Sequence, residues 1–445
     1  MTTISRRKVF ETIGAMGISA ALQRVLSPAQ LLAQAAPAQS GYRALVCIAL
    51  DGGCDSNNII VPLDPSQYAN YAGGRPDLAV AQGALIPFKA SSGQSYGINP
   101  ALPNIASLIG SGKCAVVANT GPLSRPLTKD AFNAGLNVPT NLMNHELQRI
   151  QWGTAYTNTS AVASTKPGWG GRMADALASF SSGQFPIVTA LAGGAEIAFC
   201  IGGTSAPALL SPGSPGFPDQ ALASLSILTN APAGSQMLSA ATNGLKAALQ
   251  QDAALRNALA SAQPLRTVFP STSLGIQLAE VAQIISSRGV LGLQRQIFLV
   301  EHGGFDTHQA QQDTFGTTIS QLDAAVSAFQ SALAELGVSD QVVTFTTSDF
   351  NRSLVQNGAA GTDHAWGSHQ LVFGNAVKAA EVYGTFPDLT VNGPDDYLGT
   401  GCWIPTTSVD QYGATLASWM GVPDTALSNI FPNLGNFTTK KLGFV

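Results

Sequence analysis

With 445 residues the chain is long enough for one large domain or two moderate ones. Apolar residues make up 45% and charged residues only 11%, the reverse of the balance in a disordered chain. The net charge is −4 and no Lys/Arg cluster follows the first 35 residues, which argues against nucleic acid as a partner, because neutralising phosphates takes clustered cations.

The chain begins with Ser5-Arg6-Arg7-Lys8-Val9-Phe10, followed by a modest apolar run from Ile13 to Leu22 and small residues ending at Ala33-Gln34-Ala35. This layout predicts a twin-arginine export signal over residues 1–35, read by the twin-arginine export machinery, and a chain that folds before export and works in the periplasm or outside the cell. The apolar run is too short and too rich in Gly and Ala to span a bilayer, and no later run reads as a stable membrane span. Residues 1–35 hold four basic side chains and one acidic one, so the remainder carries about −7.

Beyond residue 41 a single domain is expected. Five short apolar runs read as buried strands: Ala44–Leu50, Cys114–Ala118, Ile187–Leu191, Ile297–Val300 and Val342–Thr346. They are continuous rather than alternating, as in parallel strands covered on both faces. Helical periodicity lies between them, at Leu102–Ile109, Ala240–Leu259, Leu274–Ser287 and Thr317–Leu336. The alternation predicts an α/β fold, a doubly wound, largely parallel sheet with helices on both faces. The stretch 193–234, rich in Gly, Pro and Ser, reads as an insertion of loops and short strands whose Phe199, Ile201, Leu209 and Leu210 need burial. A last helix at Asp410–Trp419 would dock on the sheet.

Five cysteines are present and none has a zinc-ligand spacing. Cys47 and Cys114 read as buried thiols. Cys200 and Cys402, in Gly-rich segments, could pair outside the cytoplasm.

Ligands of open α/β sheets bind beyond the carboxyl ends of the strands. Three such ends here carry acids or histidines: Asp51-Gly52-Gly53-Cys54-Asp55 after the first run, Glu301-His302-Gly303-Gly304-Phe305-Asp306-Thr307-His308 after the fourth, and Ser348-Asp349-Phe350-Asn351-Arg352 after the fifth. Further on comes Gly361-Thr362-Asp363-His364-Ala365-Trp366-Gly367-Ser368-His369. Of the five histidines, four fall in these segments and the fifth is His145. Imidazole and carboxylate groups at neighbouring strand tips can converge on one or two divalent metal ions (zinc, manganese, calcium or magnesium), and two such ions can clamp the attacking and leaving oxygens of a phosphoryl or sulfuryl transfer. The alternative is a polar network that ties the loops together.

These motifs, together with the arginine pair and Gly168-Trp169-Gly170-Gly171-Arg172, resemble an exported bacterial family, domain of unknown function 1501 (DUF1501), within the alkaline phosphatase and sulfatase superfamily. The resemblance implies an alkaline phosphatase-like domain over 41–445 and a metal-dependent hydrolase of small or polymeric phosphate or sulfate esters. By position, Asp51 resembles the early metal-binding acid. Asp306 and His308 resemble the acid with a nearby histidine, Asp349 the start of an Asp-His pair, and His364 or His369 the late histidine. Arg352 would contact the ester oxyanion, or else neutralise Asp51 and Asp349 as an ion pair. His145 is a candidate ligand or acid–base group. Asp363 would orient His364, and His302 reads as a loop histidine.

Two departures stand out. Phe350 takes the place of a metal-binding His, and Asn144 precedes His145 where the family often has Ser. An amide is no nucleophile, and Thr120, Ser124 and Thr140 are the nearby hydroxyls. The rival reading keeps the fold without catalysis, as an envelope protein that binds a polymer, a glycan or a protein partner.

Overall fold

The computed structural model describes residues 41–158, 166–181, 185–213, 219–229, 235–378 and 381–445. The expected export signal lies outside them, as does part of the insertion.

All five apolar runs form strands of one sheet. β1 (Arg43–Leu50) is buried along almost its whole length, as a strand covered on both faces must be. In chain order there follow β2 (Ile60–Pro62), β3 (Ile86–Lys89), β4 (Ser95–Ile98), β5 (Cys114–Gly121), β6 (Val188–Ala190), β7 (Ala208–Leu209), β8 (Arg295–His302), β9 (Val342–Ser348), β10 (Ser368–Phe373), β11 (Val382–Tyr383) and β12 (Thr407–Ser408). The main sheet has the order β11-β5-β10-β9-β1-β8-β6-β7, with β12 also on β5. Its pairings are parallel except at β10, which runs antiparallel to both β5 and β9. Strands β2, β4 and β3 form a small antiparallel sheet.

The helices are α1 (Pro65–Gly74), α2 (Pro103–Gly110), α3 (Lys129–Asn133), α4 (His145–Thr154), α5 (Trp169–Ala176), α6 (Asp219–Thr229), α7 (Gln236–Ala260), α8 (Ser273–Ser286), α9 (Gln311–Glu335), α10 (Val409–Met420) and α11 (Asp424–Ile430). One group, α2, α8 and α9, packs together and onto β5 and β8. A second group, α4, α5, α10 and α11, packs onto β1, β5, β6 and β9. Of the apolar stripe that the helical period predicts on α9, Leu336, at the C-cap, is partly buried, while Ile319, Leu322, Val326, Phe329 and Leu333 are fully buried. Each such side chain withdraws from water at a gain of about 1.5–3 kcal/mol. The α10 helix opens with a capping box, Ser408 and Gln411 exchanging bonds with each other's backbone N–H.

The insertion differs from its expectation in two ways. It carries a helix, α6, because Asp219–Thr229 is built mostly of residues that tolerate helix well. Phe199 is buried as expected, but Ile201 is 38% exposed. A 3-10 turn at Gly194–Cys200 packs against α4 and α5, so the insertion is part of the main body. The Cys200–Cys402 pairing is not formed: all five cysteines are free buried thiols, and these two sit in different apolar clusters.

Candidate functional site

Because β1 lies between parallel β8 and β9, the loops leaving these three strands are neighbours. Asp51 directly follows β1, Asp349 directly follows β9, and Asp306 lies four residues beyond β8. The turn after Asp51 needs glycine twice. Gly52 (φ +109°) would bring a Cβ to 2.5 Å from the Asp306 backbone nitrogen, and at Gly53 (φ +79°) a Cβ would collide with the Phe350 ring. The bare backbone therefore lets the three loops close on one another.

Three imidazoles converge on Asp306. Its Oδ1 lies 3.1 Å from His308 Nε2, 3.5 Å from His364 Nε2 and 3.7 Å from His145 Nε2. On each ring the far nitrogen is engaged. His145 Nδ1 meets Asp349 Oδ2 at 2.6 Å, His308 Nδ1 meets Asp363 Oδ1 at 3.2 Å, and His364 Nδ1 meets the Met143 carbonyl at 2.8 Å. Carboxylate and carbonyl oxygens accept, so each Nδ1 donates its hydrogen, and each Nε2 is the ring nitrogen that faces Asp306. The Nε2 atoms of His308 and His364 stand 2.9 Å apart. Two lone pairs at that distance repel unless an extra proton or a cation lies with them. The rings pack on one apolar floor, Phe350, whose centroid is 4.8 Å from that of His145 and 4.4 Å from that of His364. Burial, more than anything else, pushes the His364 imidazole below its ordinary pKa. Burial alone would raise the Asp306 carboxyl, but the hydrogen bond and charge of Arg352, with His145 and His308, outweigh it and hold it below the usual range. His145, Asp306 and His364 each offer one ligand atom within 4.8 Å of the others, and nitrogen and carboxylate donors of this kind suit a first-row divalent ion such as zinc or manganese, with Arg352 touching only the Asp306 member, so these three fit a metal.

A second group, Asp51, Glu196 and Asp349, brings carboxylate oxygens within 4.8 Å of one another. Its fit to a metal is poor, because the Arg149 guanidinium stands among them. Arg149 Nη2 pairs with Asp51 Oδ1 and lies 2.9 Å from Asp349 Oδ2, while Nε is 2.9 Å from Glu196 Oε1. That last contact is an ion pair without hydrogen-bond alignment. Burial raises the Glu196 carboxyl, and Arg149 offsets part of the rise.

Of the expected site residues, Asp51, Asp306, His308, Asp349, His364 and His145 come together; His369 and Arg352 take other roles. His369 lies inside β10, fully enclosed and stacked on Phe386, with Nδ1 accepting from the Asn119 N–H at 3.1 Å. Burial depresses its pKa to about 3. The strand's direction points it into the sheet, which leaves His364 as the histidine at the site. Arg352 is wholly buried and spent. It donates to the carbonyls of Gly53 (2.9 Å), Thr362 (3.1 Å) and Gly52, and to Asp306. It holds Asp306 in place rather than facing an ester, and the guanidinium between Asp51 and Asp349 belongs to Arg149 instead. His302 ends β8 and bonds the Thr318 carbonyl at 2.8 Å. Asn144 caps α4, accepting from the Leu147 N–H at 3.0 Å. Thr120 is buried in β5. Trp152 and Trp169 are buried beside the acidic group, and Trp366 packs with Phe132 and Tyr397.

Two residues of the site escape sequence reasoning. Arg149 is four residues after His145 on α4, so the i,i+4 spacing that puts both on one face was available as a signal. Glu196 carries no such signal, since it arrives from the insertion.

Solved structures with similar folds include a protein in the alkaline phosphatase superfamily from Vibrio parahaemolyticus, 10% identical, covering 94% of this chain and 76% of that chain at a TM-score of 0.40. Others are the lipoteichoic acid synthase LtaP of Listeria monocytogenes (8% identity, 99% and 81% covered, TM-score 0.37) and the soluble domain of lipooligosaccharide phosphoethanolamine transferase A from Neisseria meningitidis (12%, 86% and 89%, TM-score 0.35). No curated protein matches the chain. The family described as "Protein of unknown function (DUF1501)" matches residues 42–399, most of the chain, and the protein therefore belongs to that family.

Proposed function

We propose that this protein is an exported, metal-dependent hydrolase of phosphate or sulfate esters. The observation that carries the reading is the convergence of three Nδ1-engaged imidazoles on the Asp306 carboxylate. His145, His308, His364 and Asp306 would hold one divalent cation, which supplies Lewis-acid stabilisation of charge on an ester's oxygens. The chain's own groups do the rest. Arg352 fixes the Asp306 carboxylate, Asp349 and Asp363 fix the tautomers of His145 and His308, and Phe350 keeps the rings in an apolar seat. The ester class follows from the resemblance of the strand-tip motifs, and the export route from the Arg6-Arg7 segment. Among the described residues no helix is long and apolar enough to cross a membrane.

The pairing of Arg149 with Asp51 and Asp349 favours a second reading, a non-catalytic polymer- or protein-binding envelope protein on the same fold. A panel of chromogenic phosphate and sulfate esters separates the two. Hydrolysis that disappears in His364→Ala and Asp349→Ala supports the enzyme. A flat panel alongside firm binding to a surface polymer supports the binder.

A further inference from the structure

We infer that the Asp51–Glu196–Asp349 group is not a metal site but the seat of a built-in cation, the guanidinium of Arg149, so that any metal chemistry in this protein uses one ion and not two. The inference rests on reading the histidine cluster as the cation site, and narrows it. Three acidic side chains with oxygens within 4.8 Å of one another would repel strongly if left alone. Here Arg149 reaches all three from a single turn of α4. Its planar fork suits this: Nη2 serves Asp51 and Asp349 while Nε faces Glu196. Glu196 and Asp349 are 8% and 3% exposed, while Asp51 and Arg149 are 27% and 20% exposed, so the inner half of the arrangement is enclosed.

Arg149 also has nowhere else to go on its buried side. The cavity beneath it, lined by Trp152, Trp169, Phe199 and Asp349, has a volume of about 30 Å³, room for about a single water and not for a displaced guanidinium.

The geometry gives Arg149 a second consequence. Its Nη2 forms an ion pair with the same Asp349 oxygen that accepts from His145 Nδ1.

The test counts metal. Full-length protein is saturated with manganese or zinc, freed of excess and analysed for bound metal, as wild type and as Asp51→Asn, Arg149→Met and His364→Ala. The expected result is the same content in wild type and Asp51→Asn, a gain of one equivalent in Arg149→Met, where the three carboxylates lose their cation, and a loss in His364→Ala. Loss of an equivalent in Asp51→Asn overturns the inference, and so does an Arg149→Met protein that folds by circular dichroism and gains none. Should Arg149→Met not fold, the Asp51→Asn comparison decides alone. A wild type that binds no metal, with Arg149→Met binding one, overturns the histidine-site reading and leaves the Arg149 inference standing.

Discussion

Arg75 and Asp55 form an ion pair that no solvent reaches, and its removal gives the sharpest test of how the site is braced. Arg75 Nη1 donates to Asp55 Oδ2 at 2.7 Å, with both side chains fully buried. Nε and Nη2 donate to the carbonyls of Leu354 (2.8 Å) and Ser353 (2.7 Å). Gln311 Nε2 reaches the same Asp55 oxygen at 2.6 Å, and Gln311 Oε1 accepts from Thr307 and Thr362. The pair thus ties the turn after β1 to the loops carrying Asp306–His308 and Asp363–His364. In Arg75→Met the Asp55 charge stays buried without its partner, which costs about 3–5 kcal/mol. Two buried carbonyls also lose donors, at about 1–3 kcal/mol each. The expected loss in urea unfolding is therefore about 5 kcal/mol or more. Asp55→Asn added to Arg75→Met removes the stranded charge and should recover part of that loss, a coupling read by the double-mutant cycle. The exposed pair Lys441–Asp424, at 2.8 Å, is the control, and its disruption should cost no more than about 1 kcal/mol. An Arg75→Met protein within about 1 kcal/mol of wild type would refute the reasoning.

Two further predictions concern pH. His369 is neutral in the folded chain, with its pKa near 3, whereas in the unfolded chain it gains a proton below about 6.5. Its contribution is present above 6.5 and is lost as pH falls towards 3, amounting to about 2 kcal/mol at pH 5; His369→Gln should flatten that part of the stability–pH curve, and an unchanged curve would contradict the assignment. Asp410 behaves oppositely, because burial pushes its carboxyl up to about 7 despite bonds from Asn433. Between about 4 and 7 the folded chain keeps a proton that the unfolded chain has released, so stability falls as pH rises through that window. Asp410→Asn should thus compare more favourably with wild type at pH 8 than at pH 5, and equal differences at both would count against it.

The long apolar strands were legible because they are buried on both faces and need no alternation, as in β1 and β8. Strand β10 was not, because its first half, Ser368-His369-Gln370, is polar. It is buried nonetheless, with Gln370 accepting from the Thr346 hydroxyl at 2.8 Å. That one strand also explains the ambiguity over His364 and His369, which differ only in which lies inside the sheet. Asp55, the last residue of the first strand-tip motif, is scaffold: it holds Arg75, and nearby Asn58 accepts from the Tyr71 hydroxyl at 2.7 Å. Arg352 was legible as a residue of this site, but not its partners, because its bonds run to backbone carbonyls that side-chain motifs do not announce and its ion pair is with Asp306. Arg149 was hidden by the ordinary expectation that a charged helix residue faces solvent.

The most direct test of the account is thermal unfolding of the full-length chain during titration with zinc or manganese. A cation held by His145, Asp306, His308 and His364 stabilises the folded state, by about 2.7 kcal/mol at a hundredfold excess over its dissociation constant. The melting transition should climb and saturate in wild type and stay put in His308→Ala. A wild-type transition indifferent to both metals, in protein whose purified form holds none, would contradict the claim that these side chains bind a cation.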